Sequence, residues 1–395
     1  MSSSPNARAG DIVVHVFGRT DVGRTREHNE DAFVVADLTA DNATLQPEVR
    51  THRTGNKGSL FMVADGMGGA AAGEIASAMA VDAVLNQLRA SWLVDSTSEP
   101  QSFVRAIKVA TKAANEQINT FATTHPEYRG MGTTATVAGL LGDTLYIAQV
   151  GDSRAYLVRD GVARQITKDQ SLMQKLIEAG ELTEEEAEHS ERRNIILQAL
   201  GPEPTIKVDL THQTVRRGDQ LVLCSDGLSG QVSKEEIAEV VTKENDLTIA
   251  CRELIDRANA NGGPDNITVI IARFDGPGLQ GPGTEDHVGH TVFPLPETGQ
   301  TPAASVDSVL DTDTPTRPFP VQQRRSRASQ PVPDEPPPEP AEPLPEPTVE
   351  VSPARRSTGR FIAWALFLVL IVGALWYAFT KLRATTGFPT MPPGS

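Results

Sequence analysis

The sequence predicts an α+β fold, and three observations carry that prediction. Helical patterns occur in neighbouring pairs and do not alternate singly with strands, which excludes an alternating doubly wound sheet. Strand patterns follow one another across short turn signals, as in an antiparallel meander. Of the chain's 28 prolines, 18 fall between residues 276 and 359. The sequence therefore predicts one globular domain over residues 11–275, preceded by a disordered N-terminus at residues 1–10.

Apolar patterning defines the elements in the first half of this domain. Strands are predicted over residues 12–17, 32–37 and 59–65. The third is apolar nearly throughout, which is typical of a strand buried on both faces. Residues 38–58 are polar and rich in turn formers and are predicted to be an exposed loop. Apolar residues at helical spacing predict two long helices over residues 70–90 and 103–121.

The second half of the domain begins with an antiparallel meander. Its three strands are predicted over residues 133–141, 144–151 and 154–159. Four helices are predicted over residues 171–180, 183–188, 234–242 and 247–260. Thr183 with Glu186 forms the capping-box pattern that starts the second of these helices. Two further buried strands are predicted, over residues 219–225 and 267–274.

The remaining chain divides into a linker and an apolar segment. Residues 276–359 are rich in Pro, Glu, Thr and Ser and are predicted to be a disordered linker. Residues 360–382 contain an uncharged apolar stretch of the length that crosses a ~30 Å hydrocarbon core, which predicts one transmembrane helix followed by a short tail at residues 383–395. A buried core helix is the alternative, and it is disfavoured because no domain surrounds the segment. A small excess of flanking positive charge predicts a single-pass protein of the inner or plasma membrane with a cytoplasmic domain.

Composition narrows the classes of function. The formal net charge of -15 argues against a nucleic-acid partner. The two cysteines, Cys224 and Cys251, provide no disulfide framework and fit a reducing cytosol. No signal-peptide pattern is seen at the N-terminus.

Five short acidic motifs carry the chemistry. In each of them an Asp stands where an apolar run gives way to glycine or a small polar residue, so that a strand end can direct a carboxylate into a cleft. They are residues 26–31 (REHNED), 65–69 (DGMGG), 151–154 (GDSR), 225–227 (SDG) and 265–266 (DN). Gathered carboxylates suit a hard divalent cation. Two such cations about 4 Å apart can lower the pKa of a bridging water and so generate a nucleophile.

Asp65 is the candidate carboxylate that bridges the two cations. It ends the buried strand at residues 59–65, and the glycines that follow it allow the backbone to approach an ion closely.

In order and spacing, these motifs resemble the bacterial form of the metal-dependent serine/threonine phosphatases of the PP2C (PPM) family, over residues 13–274. The resemblance implies a four-layer α-β-β-α sandwich with two antiparallel β-sheets. It implies hydrolysis of phosphoserine and phosphothreonine on proteins by a water activated by two Mn²⁺ or Mg²⁺ ions, without a covalent intermediate. It also implies a monomeric catalytic domain whose partners are serine/threonine kinases and their phosphorylated substrates.

The resemblance assigns roles at the predicted cation site. It agrees with Asp65 as the bridge and implies the backbone carbonyl of Gly66 as a second ligand. Asp226 and Asp265 match the family positions that complete the shell of one metal ion.

The resemblance also assigns five residues around these ligands. Arg26 matches the arginine that binds phosphate, and a planar guanidinium can hold two phosphate oxygens at once. Glu30 and Asp31 match ligands that reach the metals through water. Asp152 and Asp169 match a third, weaker metal site of the bacterial members.

The chain departs from the family pattern at several positions. Met67 stands where some members have a histidine that can protonate the leaving group, so protonation by metal-bound water is expected. Ser229 and Gly230 replace residues that provide a further ligand in many members. Gln170 stands where a histidine more often follows the aspartate. The segment 132–135 (GTTA) matches a small-residue motif and is expected to pack beside the site.

Three alternative interpretations were weighed. Residues 66–71 formally match a dinucleotide-binding fingerprint, but a second helix and not a parallel strand follows the first. Residues 251–257 match the C-x5-R pattern of cysteine-dependent phosphatases but lie in an amphipathic helix, whose N–H groups are already bonded. A catalytically inactive scaffold that binds phosphoproteins is the rival to the enzyme, and the complete acidic set weakens it.

Overall fold

The computed structural model describes residues 11–296, except residues 45, 189, 191, 284 and 285. The predicted disordered N-terminus, transmembrane helix and C-terminal tail lie outside the described residues, as does residue 297 onward of the predicted linker. In the described part of the chain, none of the helices combines the length and apolarity that a membrane span requires.

Two antiparallel sheets form the centre of the domain. The first sheet, sheet A, contains β1 (Val13–Asp21), β4 (Arg50–Arg53), β9 (Arg154–Arg159), β10 (Val162–Gln165), β12 (Gln220–Cys224) and β13 (Ile267–Asp275). Its strand order is β10-β9-β12-β13-β1-β4. The second, sheet B, contains β2 (Asp31–Asp37), β3 (Asn42–Thr44), β5 (Ser59–Met67), β6 (Gly132–Thr133), β7 (Ala135–Leu141), β8 (Thr144–Val150) and β11 (Asp209–Thr214). Its order is β11-β8-β7-β5-β2-β3, with β6 paired to the end of β5.

Helices cover the outer face of each sheet. The long helices α1 (Ala70–Ala90) and α2 (Pro100–Thr124) pack on sheet B, and α6 (Lys234–Lys243) and α7 (Leu247–Ala260) pack on sheet A. Three short helices, α3 (Leu172–Glu178), α4 (Glu184–Glu188) and α5 (Asp226–Ser229), lie in the connections. The predicted α+β class and the four-layer α-β-β-α sandwich are therefore confirmed.

The core between the sheets fixes their relative position. Phe33, Phe61, Leu221 and Ile270 meet there with at most 2% of their surface exposed. Burying a side chain of this size stabilises the fold by about 1.5–3 kcal/mol. Phe61 of sheet B also packs edge to face against Phe274 of sheet A. This packing holds the two sheets face to face.

Both sheets contain edge strands that the sequence did not predict. The predicted loop at residues 38–58 contains the short strands β3 and β4, and the strand β11 was not predicted at all. All three lie at sheet edges. Edge strands are short and polar because one side meets solvent, so they lack the apolar run that marks a strand in sequence.

The packed chain extends past the predicted boundary at residue 275. Residues 276–283 and 286–296, which we call the C-terminal arm, lie along the domain. Leu279 and Val288 join the core between the sheets. The arm also pairs with the edge strand β11, since His212 N–H donates to Thr291 O and Phe293 N–H donates to Leu210 O, both at 2.9 Å. The first part of the predicted linker is thus part of the folded domain.

Candidate active site

Strand ends bring the predicted acidic residues together at one end of the sandwich. Asp31 begins β2 and Asp65 lies near the end of β5, and the two face each other as direct cross-strand partners. Asp152 lies in the turn between β8 and β9. Asp226 follows β12, and Asp265 precedes β13. Both sheets therefore contribute carboxylates to the same cleft.

Asp65 lies at the centre of this group. Burial raises its pKa well above the ordinary value, and the nearby charges of Asp31, Asp226, Asp152 and Asp265 raise it further. Burial and the charge of Asp265 raise the pKa of Asp226, and the neighbouring Asp65 side chain opposes that rise. The charges of Asp65, Asp226 and Asp265 thus influence one another within one group of acidic side chains.

Asp31 is held firmly by hydroxyl groups. Its Oδ2 accepts hydrogen bonds from Ser225 Oγ at 2.8 Å and Thr268 Oγ1 at 2.6 Å. Its Oδ1 is buried and has no hydrogen-bond partner among the described residues. Burial raises the pKa of Asp31 to about 7, although the two hydroxyl bonds oppose that rise. An oriented carboxylate with one open oxygen is suited to bind a cation or its water.

Asp152 shows the same combination of burial and an open oxygen. Only 6% of its surface is exposed, and its Oδ1 has no hydrogen-bond partner in the part of the chain that the structure describes. Burial raises its pKa to about 8, and the charges of Asp226 and Asp169 act in the same direction. A buried carboxylate surrounded by like charges is costly unless a positive charge meets it.

The backbone around Asp65 is fixed by the segment 132–135. Asp65 N–H donates to Thr134 Oγ1 at 3.0 Å, and Asp65 O accepts from Thr133 Oγ1 at 2.8 Å and Thr134 N–H at 2.9 Å. Thr134 Oγ1 also bonds to Ser153 Oγ at 2.7 Å, beside Asp152. The segment therefore packs beside the site, as the sequence predicted, and it links two acidic motifs.

Gly66 is required by a close approach of three backbone segments. A Cβ at this position would lie 2.2 Å from Gly73 O and 2.4 Å from Glu30 O. The Gly66 N–H donates to Glu30 O at 3.1 Å. Any side chain here would separate the end of β5 from the first turns of α1 and from Glu30, both of which border the cleft.

Glu30 is buried at the edge of this group. Its backbone N–H donates to Asn266 Oδ1 at 2.8 Å, which ties it to the residue after Asp265. Burial raises the pKa of Glu30, while the charge of Arg26 lowers it. Asn266 Nδ2 in turn donates to Val22 O at 3.0 Å and His28 O at 2.9 Å. The side-chain amide of Asn266 therefore holds the loop between β1 and β2 at three points.

Arg26 reaches the cleft from its rim. Its Nη2 donates to Asp265 Oδ2 at 2.9 Å, and 45% of its side chain is exposed. The guanidinium is thus close to the acidic group and still accessible to a ligand that arrives from solvent.

Asp169 has a different environment from the other predicted ligands. Arg154 Nε donates to both of its oxygens, at 3.2 and 2.9 Å, and Arg154 Nη2 donates to Oδ2 at 2.8 Å. Gln165 Nε2 adds a bond to Oδ1 at 2.8 Å. Both oxygens of Asp169 are therefore engaged by protein donors, whereas Asp152 keeps one oxygen open.

Sequence reasoning missed three of the residues that shape the site. Thr268 and Ser225 hold Asp31, and Gln170 bonds to Gly151. Thr268 left one signal, a polar residue inside the otherwise apolar run of β13, where it is fully buried. Ser225 and Gln170 were visible as motif neighbours, but only the fold shows what they contact.

The donor set fits hard divalent cations. Several buried carboxylates lie close together. Asp31 and Asp152 each have one buried oxygen that accepts no hydrogen bond from the described part of the chain. Among the same described residues, no group of three or more His, Cys, Asp or Glu side chains is already arranged to hold a metal ion. Mg²⁺ commonly uses one or two carboxylates and keeps several waters, so a pre-formed cage is not a requirement for this class of site.

The structure disfavours both cysteine-dependent phosphatase chemistry and dinucleotide binding. Cys224 and Cys251 are free and fully buried, and burial raises the pKa of Cys224 to about 12. Cys251 lies inside α7, where no loop of N–H groups could hold a phosphate. Helix α1 leads into α2 and the sheets are antiparallel, which is incompatible with a dinucleotide-binding βαβ unit.

Comparison with known sequences finds similarity to protein phosphatases. The model of the family described as protein phosphatase 2C matches residues 39–266. The serine/threonine phosphatase Stp of Listeria monocytogenes is 36% identical over 262 residues, which cover 66% of this chain and 96% of that protein. The serine/threonine protein phosphatase PstP of Mycobacterium tuberculosis is 35% identical over 262 residues, 66% of this chain and 45% of that protein.

Solved structures agree with the sequences. The serine/threonine phosphatase of S. agalactiae aligns with a TM-score of 0.58 at 35% identity, over 66% of this chain and 99% of that chain. The catalytic domain of PstP in complex with two manganese ions aligns with a TM-score of 0.55 at 33% identity, over 67% of this chain and 99% of that chain. The described fold is thus similar to that of bacterial serine/threonine phosphatases.

Proposed function

The chain belongs to the protein phosphatase 2C family and is a protein-serine/threonine phosphatase, and from this premise we propose that it uses two divalent cations, Mn²⁺ or Mg²⁺, held at the acidic end of the sandwich. The proposal rests on one observation above all. Buried carboxylates from both sheets converge there without enough positive charge to balance them. One solved relative carries two manganese ions.

Asp65 is the proposed bridge between the cations, with the Gly66 carbonyl, Asp226 and Asp265 as further ligands. Asp31 and Glu30 would act through water at the edge of the group. When bound, two such ions supply an ionised water as nucleophile and offset the charge on the transferring phosphoryl group. The chain contributes the orientation before any substrate arrives. Thr133 and Thr134 fix the backbone of Asp65, and Ser225 and Thr268 fix the carboxylate of Asp31.

Arg26 is the proposed phosphate-binding residue. Its guanidinium lies at the rim, beside Asp265, and can donate two parallel hydrogen bonds to a phosphate group. Met67 follows the Asp65-Gly66 pair and carries no transferable proton, so the leaving serine or threonine oxygen must take its proton from water.

The direct test is metal-dependent hydrolysis of a phosphothreonine peptide. We expect the purified protein to lose phosphate release after treatment with EDTA and to regain it with Mn²⁺, while calorimetry measures at least two bound ions per chain. Peptide binding with no turnover at any Mn²⁺ concentration would instead favour the inactive scaffold. Turnover that is unaffected by EDTA would contradict the cation site.

Partners and localisation are proposed from the sequence pattern and the family. The substrates are proteins phosphorylated by serine/threonine kinases, with the kinases themselves among them, and the domain acts as a monomer. The apolar segment at residues 360–382 anchors the chain in the inner or plasma membrane, with the phosphatase in the cytoplasm. Membrane fractionation of the full chain beside a chain ending at residue 359 tests this anchor, because only the full chain should pellet with membranes.

A further inference from the structure

Asp169 and Gln170 hold the turn that carries Asp152. Gln170 N–H donates to Gly151 O at 2.9 Å, and Gly151 N–H donates to Gln170 Oε1 at 3.0 Å. One residue thus bonds to both backbone polar groups of Gly151. Gly151 has φ +98°, and a Cβ there would lie 2.7 Å from Thr134 Cγ2. The backbone immediately before Asp152 therefore depends on an unusual conformation that Gln170 secures from one side.

The side-chain amide of Gln170 is itself fixed in orientation. Its Oε1 also accepts from Gln198 Nε2 at 2.8 Å, and its Nε2 donates to Asp209 Oδ2 at 2.9 Å. The oxygen end meets two donors and the nitrogen end meets a carboxylate. Rotating the amide by half a turn would place like groups together at both ends, so only one orientation satisfies the network.

Asp169 holds the other side of the same turn. Its carboxylate is 8% exposed and binds Arg154, which lies two residues after Asp152. With Gln165 as a further donor, both oxygens of Asp169 are in use. Asp152 differs, because one of its oxygens is buried and unpartnered among the described residues.

We propose that Asp169 and Gln170 are positioning residues that aim Asp152 at a cation, with Asp169 acting through Arg154 and not as a metal ligand itself. The inference rests on the proposed function, since the aim of Asp152 matters only if a cation binds near it. The family resemblance implied a third metal site formed by both Asp152 and Asp169. In the site proposed here, only Asp152 has a carboxylate oxygen that the described residues leave free to bind the cation.

The test uses the amide of Gln170. Gln170→Leu removes the amide at similar size. Gln170→Glu keeps an acceptor for Gly151 N–H but places a second carboxylate against Asp209. Both variants should raise the Mn²⁺ concentration for half-maximal hydrolysis of a phosphothreonine peptide about tenfold, the usual effect of losing a residue that orients a ligand. Calorimetric Mn²⁺ titration without substrate should show the same loss in the weakest of the bound ions.

A double substitution provides the rescue. When Gln170→Glu is combined with Asp209→Asn, the amide introduced at position 209 can donate to the carboxylate introduced at position 170, so the contact is restored with its donor and acceptor exchanged. We expect Mn²⁺ half-saturation to return to within about threefold of the parent protein. Asp209→Asn alone still accepts from Gln170 and should stay close to the parent value.

Two further variants separate the possible outcomes. Gln220→Leu is the matched control, because Gln220 is a buried glutamine that donates to Val241 O, away from the cleft. It should lower the melting temperature without changing Mn²⁺ half-saturation. Asp152→Asn should weaken Mn²⁺ binding. If it does and Gln170→Leu does not, the inference is overturned and the proposed function stands. If Asp152→Asn leaves Mn²⁺ binding unchanged while EDTA still abolishes hydrolysis, the inference is also overturned and the proposed function again stands.

Discussion

The two ends of strand β12 carry buried aspartates in opposite situations. Asp219 precedes the strand, and its carboxylate accepts from Arg159 Nε at 2.9 Å, Arg159 Nη2 at 2.6 Å and Arg216 N–H at 2.7 Å. Asp226 follows the strand, where burial raises its pKa and the charge of Asp265 raises it further. The same residue type is thus neutralised by the protein at one end and left without sufficient counter-charge at the other.

This difference distinguishes a structural charge from a functional one. A buried ion pair with every oxygen engaged needs nothing from solution. A buried group of like charges is unfavourable by itself and becomes favourable when a cation binds. The following predictions test that distinction, beginning with the largest expected effect.

Asp65→Asn should abolish catalysis and leave the fold intact. Losing several kcal/mol of charge stabilisation corresponds to a fall in kcat of about 10³-fold or more. The free energy of unfolding should not decrease, because one of several repelling carboxylates is removed. Hydrolysis of a phosphothreonine peptide and thermal melting measure the two effects. Undiminished turnover would refute Asp65 as the bridge.

Asp219→Asn should give the opposite result. It leaves the Arg159 guanidinium, whose side chain is 7% exposed, without its carboxylate. Breaking such a pair costs about 3–5 kcal/mol of stability. Urea denaturation should show the loss of stability. In the protein that remains folded, the dependence of hydrolysis on Mn²⁺ concentration should be unchanged. The matched change Asp226→Asn, at the other end of the strand, should impair hydrolysis without lowering stability. If both variants lowered stability and activity equally, the distinction between a structural and a functional carboxylate would be wrong.

Mn²⁺ should stabilise the domain through its acidic end alone. At 100 times its dissociation constant, one bound ion adds about 2.7 kcal/mol to the free energy of unfolding. The increase should persist in Asp219→Asn and shrink in Asp226→Asn. Melting curves with Mn²⁺ and with EDTA measure it, and an equal increase in both variants would place the cation elsewhere.

Arg26→Ala should mainly weaken substrate binding. Losing charge-assisted bonds to phosphate should raise KM about tenfold, more than Asp65→Asn does, since Arg26 does not generate the nucleophile. Arg89→Ala is the control, because Arg89 pairs with Asp41 on the surface at 2.7 Å with similar exposure. A KM that is unchanged by Arg26→Ala would exclude the phosphate-binding role.

Asp286→Asn should have the smallest effect. Asp286 holds the C-terminal arm on the domain. Its Oδ2 accepts from Arg216 Nε at 2.7 Å and its Oδ1 accepts from Arg216 Nη2 at 2.8 Å. These bonds lower the pKa of Asp286. A lowered pKa in the folded state means that the contribution is present at neutral pH and is lost as the pH falls through the acid range. The variant should melt slightly below the parent at pH 7, and this difference should vanish in acid. Peptide hydrolysis should not change.

The sequence predicted the fold and the acidic set well for physical reasons. Buried strands such as β5 and β12 are apolar runs, and the long helices repeat apolar residues at helical spacing, so both can be recognised locally. The motif aspartates were visible because glycine or a small residue follows them. Edge strands such as β11 lack the apolar signal, and β11 is held by pairing with β8 on one side and with the arm on the other.

The details of the site depend on contacts between residues distant in sequence. The predicted third site paired Asp152 with Asp169, but the fold gives Asp169 an arginine partner. Thr268 and Ser225 reach Asp31 from 237 and 194 residues away. No local pattern encodes such encounters, because they arise only when both sheets have packed.

The C-terminal arm has a practical consequence for preparing this protein. A recombinant fragment that stops at the predicted boundary of residue 275 would lack Leu279 and Val288 and would leave β11 uncovered. An unprotected strand of this kind invites edge-to-edge association between copies. Fragments intended for crystallisation or kinetics should therefore end beyond residue 296, where the last hydrogen bonds to the sheet have been made.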